Sequence, residues 1–320
     1  MQGNLRYTLT ACVFTLFCSS AFSQPMAYVP NEKDGTVSVI DTGTDEVVKQ
    51  LPANGRLGKK IQAVAIHPAN QKLYVVVRDK NAVAVVDTVQ GVQTALIKVG
   101  DEPEGIDISP DGKLLAACLE EENAVALVDL QTNQLKKTIA TQGRNPEHCV
   151  FSPDQQWLLA SNEKSNNVDV INLTSFKSEH LVAATKHPRG VAFSPDGKLA
   201  YVANEAANLL EIISTASWKV EATVRVGLRA NGVVVNADGS RVYVSNGGDH
   251  NVSVIDATSQ RIIATVAVGK RPWNMALTPD GKKLYVANGR SDNVSVIDTQ
   301  TNTKLKDIAV GKLPWGVVIR

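Results

Sequence analysis

Few residues in this chain are equipped for chemistry, since only five of its 320 residues are histidine and four are cysteine. His148 beside Glu147, with Glu104 before it and His187 after it, offers nitrogen and oxygen donors of the kind that hold a transition metal. No fixed short spacing joins these residues, so solvated polar side chains are the competing reading. A lone channel histidine would also suit an axial haem position. Glu104 and Glu147 could do acid–base work if held at a defined separation. Trp273 and Trp315 stand near Lys270, Arg271 and Lys312. Aromatics beside cations can anchor a planar ligand or a protein partner; alternatively, the two indoles plug a narrow opening. Recognisable catalytic motifs are missing: there is no G-x-S-x-G, P-loop or H-E-x-x-H string. Cys118 and Cys149 belong to no C-x-x-C, and read either as small buried hydrophobes or as a disulfide pair.

What positions these residues is a repeat. A strand of alternating apolar residues ending in a short polar one recurs seven times, finishing at Asp41, Asp87, Asp129, Asn172, Ser214, Asp256 and Asp298. After a first interval of 46 residues the spacing is 42 or 43. The excess falls in the stretch Asn54 to Lys60. A period near 42 fits a four-stranded propeller blade. Within each copy a strand runs into a Pro-Asp-Gly turn, as at Pro195, Asp196 and Gly197, in which Pro presets φ and Gly accepts positive φ. A second strand follows and stops at an Asn such as Asn204, Asn246 or Asn288. Val, Ile and Thr dominate these runs and no 3.6-residue apolar period is sustained, which excludes stacked helical repeats.

The fold class predicted is therefore all-β: a seven-bladed β-propeller of four-stranded antiparallel blades. The ending Trp315 to Arg320 is a lone first strand, and the missing strands of that blade lie near the other end, from Met26 onwards. Pairing of N- and C-terminal strands in one blade closes the ring and removes its open edges.

In such a ring the loop before each inner strand lies at the channel rim. Register places Gln62, Glu104, Glu147, Arg189, Asn231, Trp273 and Trp315 at one rim position, and Ala63, Gly105, His148, Gly190, Gly232, Asn274 and Gly316 at the next. Packing keeps a repeat uniform, so a position varying this sharply in size and charge is the candidate binding surface. The candidate site comprises Gln62, Glu104, Glu147, His148, Arg189, Asn231, Arg271, Trp273, Asn274 and Trp315. It reads as an acidic arc (Glu104, Glu147, with Glu120 to Glu122 nearby) facing a basic arc that bears the tryptophans.

Tyr201 to Asn204 and Tyr285 to Asn288, each reading YVAN and each followed by a strand of the VSVID type, resemble the YVTN β-propeller repeat over essentially the whole chain beyond residue 23. The strings Asn31 to Asp41 (NEKDGTVSVID) and Val310 to Arg320 (VGKLPWGVVIR) resemble a narrower group, the exported propellers associated with pyrroloquinoline-quinone (PQQ)-dependent alcohol catabolism. That resemblance implies a non-catalytic accessory factor whose partner is a periplasmic quinoprotein dehydrogenase or its electron-transfer partner. The expected function is thus partner or small-ligand binding at the rim, with no cofactor assigned. The alternative is a metal- or haem-dependent enzyme with its site at the channel mouth.

Residues 1–23 read as a signal peptide: Arg6 precedes an apolar run too short to span a bilayer, and small residues at Ala21 and Ser23 suit cleavage before Gln24. Cys18 follows the bulky Phe17, which argues against lipidation. The expected location is the periplasm, and the expected form a monomeric single domain over residues 24–320. With 33 basic against 32 acidic residues, no global field drives nucleic-acid or anionic-membrane binding. A hydrophobic content of 43% excludes disorder.

Overall fold

The protein is described by a computed structural model covering residues 24–320, so the leader reading lies outside the described residues. Seven four-stranded antiparallel sheets follow one another in chain order, as the repeat predicts. Blade 2 shows the unit: Ile61–Ile66, Lys72–Val77, Ala82–Asp87 and Val92–Lys98, from the channel outwards. In blades 3 to 7 the inner strands are Pro103–Ile108, Pro146–Phe151, Pro188–Phe193, Ala230–Val235 and Pro272–Leu277. Among the described residues no helix is long and apolar enough to cross a membrane.

Each second and third strand is buried on both faces between neighbouring blades, hence their near-continuous apolar runs, while the outer strands are mostly exposed. The turns form as their residues dictate. Gly197 takes φ +71°, its amide donates to the Ser194 carbonyl at 2.9 Å, and the Ser194 hydroxyl donates to Asp196 at 2.7 Å.

The Asn that ends the second strand has a second task. Asn31, Asn246 and Asn288 are fully buried, and each donates its side-chain amide to a serine hydroxyl of the third strand, Ser38, Ser253 or Ser295, at 2.9 Å. Asn162 does the same to Asp169 at 2.7 Å. Blades 2 and 3 replace both partners with apolar residues, Val77 over Ala84 and Leu119 over Ala126, all fully buried. Exchanging both partners together leaves no orphaned polar group, which makes the swap tolerable.

Blade 1 is built from both chain ends. Val318–Ile319 pairs antiparallel with Met26–Asn31, which continues to Thr36–Asp41 and Glu46–Leu51. Tyr28 lies opposite Val318, the Met26 amide donates to Arg320 at 2.7 Å, and Trp315 donates to Pro30 at 3.0 Å. The seam with blade 7 carries a lock of its own. The buried Tyr285 hydroxyl donates to Asp45, and Lys283 Nζ reaches Asp45 at 2.7 Å and the Thr42 carbonyl at 2.9 Å. The equivalent Tyr74 hydroxyl has no partner. On its other flank blade 1 is tied to blade 2 by the Arg320 guanidinium, which donates to the His67 carbonyl at 2.6 Å.

Deleting residues 312–320 removes the innermost strand of blade 1 and reopens the ring, so thermal unfolding should show a lowered midpoint. Asp45→Ala, which removes the carboxylate from a buried tyrosine hydroxyl and a half-buried lysine and leaves both only the Thr42 carbonyl, should cost about 1–3 kcal/mol in denaturant unfolding.

Candidate functional site

Near their starts the inner strands of blades 2 to 7 slip register against the second strands. In blade 3, for example, Pro103 pairs with Leu119 but Ile106 with Ala117. The slip leaves Glu104 and Gly105 in a bulge, and bulges re-aim side chains. This places the rim residues of each blade at the channel. Glycine recurs at the second rim position because the next blade's backbone comes so close: a Cβ on Gly105 would lie 2.4 Å from the Glu147 carbonyl oxygen.

Nine of the ten candidate residues, Gln62, Glu104, His148, Arg189, Asn231, Arg271, Trp273, Asn274 and Trp315, line one cavity of about 170 Å³, and Glu32 completes it. Glu147 is the exception. It is 2% exposed and turned into the wall, where Arg189 Nη1 donates to it.

Two opposed arcs of charge are not what the ring contains. Arg78 stands inside the acidic arc, with Nη1 2.6 Å from Glu104 and Nη2 2.5 Å from Glu102, and it also bonds Glu120. Arg189 bonds Glu147 and lies 2.9 Å from Glu205. Glu205 is in turn held by Arg229 and Arg271, each at 2.9 Å. Buried carboxylates are tolerated only with counter-charges alongside, and this requirement interleaves the signs. Of the run Glu120 to Glu122, Glu120 bonds Arg78; Glu121 stands beside Glu120 and Glu102 but meets Lys164 at 3.7 Å, and Glu122 accepts the Asp101 amide at 2.6 Å.

Glu32, Arg78, Glu163 and Glu205 were missed by reading only the loops before the inner strands. They occupy the position just after the second strand, which runs Glu32, Arg78, Glu120, Glu163, Glu205, Gly247, Gly289 around the ring. The same register argument finds them. The two glycines are filled by their neighbours: a Cβ on Gly289 would sit 2.3 Å from the Trp273 six-membered ring, and one on Gly247 3.0 Å from Arg271 Nη1.

The tryptophans both pack and line. Trp315 is 8% exposed and clusters with Ala63 and Val76, with Trp273 and Ile106 against them. Its indole also stacks on His148, ring centroids 5.5 Å apart and planes at 22°. The indoles thus form the apolar wall of the cavity, so plugging and lining are one arrangement. Lys270 and Lys312 are carried outside the cavity lining.

Burial governs the ionisation here. It lowers His148 to about 4, against an opposing pull from the Glu104 charge, so the imidazole is neutral above that pH. Both ring nitrogens are buried and have no partner within the protein, and neither has Arg271 Nη1. Burial also pushes carboxyls up, but hydrogen bonding from Glu120 and the nearby Arg189 and Arg78 charges outweigh it at Glu104, which falls to about 2. Its neighbour Glu120 rises to about 8 through burial and the hydrogen bond and charge of Glu104. Glu147 is raised well above the carboxylate range by burial and by Glu104, and shares its hydrogen bond with Glu163.

Glu104, Glu120 and Glu147 bring carboxylate oxygens within 4.8 Å of one another, the separation a metal ion would need. Arg78 and Arg189 already occupy their charge, and burial with the neighbouring Glu104 pushes Glu120 up to about 8 and Glu147 well above the carboxylate range, so the residues do not fit a cation. Haem fits no better. A cavity of about 170 Å³ falls below the roughly 300–1,000 Å³ of sites enclosing even a drug-sized ligand, and a haem macrocycle is larger still. Of the other histidines, His67 bonds the Gly112 carbonyl at 3.0 Å in a turn on the opposite face, and His187 pairs with Glu163 at 3.3 Å.

With this geometry in view, the similarities to known proteins can be placed. Residues 172–312 match the family described as lactonase, 7-bladed β-propeller, and residues 23–153 match the cytochrome D1 haem domain. Each match spans less than half of the chain. No curated protein matches it. Among solved structures, a chain of Kuenenia stuttgartiensis hydrazine synthase is 26% identical with a TM-score of 0.75, covering 90% of this chain and 99% of that one. A functionally unknown protein from Desulfotomaculum acetoxidans is 18% identical with a TM-score of 0.82, covering 92% and 98%. A candidate 6-phosphogluconolactonase from Bacteroides fragilis is 19% identical with a TM-score of 0.78, covering 94% and 99%. The last two establish the shared propeller fold. The lactonase match and the hydrazine synthase likeness point to propellers of enzymes, and they overturn the expectation of a non-catalytic accessory factor for PQQ-dependent alcohol oxidation.

The raised carboxyls keep their protons to higher pH folded than unfolded. Their stabilisation is complete near pH 4 and drains as pH rises through about 8. His148 works the other way, costing stability as pH falls from 6.5 toward about 4. The melting midpoint should therefore peak between these limits. Glu120→Gln should flatten the alkaline limb in a pH series of thermal melts.

Proposed function

We propose that this protein is a hydrolase of the lactonase type, opening a small ester ring whose substrate carries a carboxylate or phosphate, with its site at the channel mouth. The observation that carries this reading is a buried neutral imidazole, His148, sharing one cavity with the guanidiniums of Arg189 and Arg271. Arg271, whose Nη1 has no protein partner, supplies the anion contact beside Arg189, and planar guanidinium suits carboxylate or phosphate. The imidazole takes a proton from water, whose oxygen adds to the ester carbonyl carbon. The C–O ring bond then breaks, and the proton passes from the imidazolium to the departing alkoxide. Arg189, Asn231 and Asn274 offer N–H groups where the carbonyl oxygen gains charge. A base near 4 is weak, but an anion bound beside it raises it by simple Coulomb attraction to the protonated form. The base therefore strengthens when the site fills.

The partial match to the lactonase family over residues 172–312, which include Arg189, Glu205, Asn231 and Arg271, supports this reading. The leader-like residues 1–23 and the resemblance to exported YVTN-type propellers support secretion as part of the same proposal; N-terminal sequencing of material recovered from the cell envelope tests it.

The chemical test is acid release from a panel of five- and six-membered lactones bearing carboxylate or phosphate groups. His148→Ala should cost about 10²–10⁴-fold in kcat, and Arg271→Ala should act mainly on KM. kcat/KM, which reports the free enzyme, should hold from neutral pH down to about 5 and fail near 4, whereas the fall in kcat should be displaced to higher pH by the bound anion. Absence of turnover across the panel, or full activity in His148→Ala, would sink the proposal.

A further inference from the structure

Cys118 and Cys149 take no part in the site, yet the fold aims them at each other. Cys118 lies in the second strand of blade 3, Leu114–Leu119, and alternation gives it a definite direction. Leu115, Ala117 and Leu119 join the apolar layer toward blade 2, whereas Ala116 and Cys118 join the layer toward blade 4. Cys149, in the inner strand of blade 4, enters that same layer from the facing sheet, beside Phe151. Exposure is 0% for Cys118 and 6% for Cys149.

The register brings the two together. Cys149 Sγ donates to the Gly105 carbonyl at 3.6 Å. Gly105 sits in the bulge between the pairs Pro103–Leu119 and Ile106–Ala117, which is to say opposite Cys118. The thiols are close enough to hydrogen-bond, and burial followed by that contact holds Cys118 well above the ordinary thiol range. No other cysteine stands among the described residues.

We propose that Cys118 and Cys149 form a modification site: a dithiol that closes to an interblade disulfide when the chain folds in the presence of a disulfide oxidant. One thiolate attacks the oxidant's S–S bond and expels a thiol, leaving a mixed disulfide. The second thiolate then attacks the protein sulfur and expels the other thiol. Overall, two protein S–H groups become one S–S bond and the oxidant is reduced to two thiols, its sulfurs taking up both electrons and both protons.

Once folded, the pair is shielded and protonated, and attack needs thiolate and access, so the bond is set during folding and exchanges slowly afterwards. It would join the second strand of blade 3 to the inner strand of blade 4, one residue from His148. The proposal is independent of the reaction the site performs.

The test unfolds and reduces the full chain, then refolds it with oxidised glutathione. Peptide mapping should find the Cys118 and Cys149 peptides joined, with the joined pair lighter by two hydrogens than the two free peptides. The melting midpoint should lie several degrees above that of protein refolded in reductant. Cys149→Ala should abolish both the joined peptide and the shift. Cys118 and Cys149 recovered as free thiols, as glutathione adducts, or linked to Cys12 or Cys18 would overturn the proposal. Mapping of the unaltered chain decides the matter even if a variant does not fold.

Discussion

Closure at blade 1 is the contact on which the rest of the molecule depends. Each blade packs only against its neighbours, so an open row of seven would leave sheet faces unburied at both ends. The short strand Val318–Ile319 against Met26–Asn31 turns the row into a ring, and Asp45 with Lys283 and Tyr285 holds the far side of that blade. The site inherits this dependence directly. Trp315 lies in the closing segment, yet its indole stacks on His148, which belongs to blade 4. The two meet only across a completed channel.

Within the ring, the cost of burying charge decides how the rim is arranged. Five glutamates and three arginines of the rim, Glu104, Glu120, Glu147, Glu163, Glu205, Arg78, Arg189 and Arg271, are linked by ion pairs or shared protons, and most are screened from water. This lattice fixes Arg189 and Arg271 in place while leaving Arg271 Nη1 free of any protein partner. His148 has no such partners, and burial, helped by the Arg189 charge, sets its neutral state against the pull of Glu104 and Glu163. A neutral acceptor among fixed cations is what separates this rim from a plain plug of polar side chains.

The architecture was legible because one period governs the chain. The 42-residue spacing, the Pro-Asp-Gly turns and the split first blade specify number, strand order and closure without reference to any contact. Register also identified nine of the cavity's lining residues. It did not yield their partnerships. Arg78 looked unremarkable in sequence because Val77 replaces the Asn that marks the position elsewhere. Glu147 appears equivalent to Glu104, yet one turns into the wall and the other lines the cavity, a difference set by Arg189 and the neighbouring blade. The ion pair between Arg78 and Glu104 depends on distances between different blades, about which spacing along the chain says nothing. The accessory role came from strings that specify strands and turns, and such strings carry little information about a rim.

One substitution in the scaffold bears on the electrostatics of that rim. Under Glu32 and Glu163 the hairpins are fastened by a buried amide dipole, that of Asn31 or Asn162, whereas under Arg78 and Glu120 the equivalent place holds only Val77 on Ala84 and Leu119 on Ala126. A hydrocarbon footing polarises little, so charges standing on it interact through a lower effective dielectric constant than charges standing on an amide. The channel mouth therefore has a polarity gradient around its circumference. Coulomb forces of the same nominal strength are felt more strongly over blades 2 and 3 than over blades 1 and 4, and an anion crossing the mouth moves through a field that is lopsided even though the fold beneath it is nearly sevenfold.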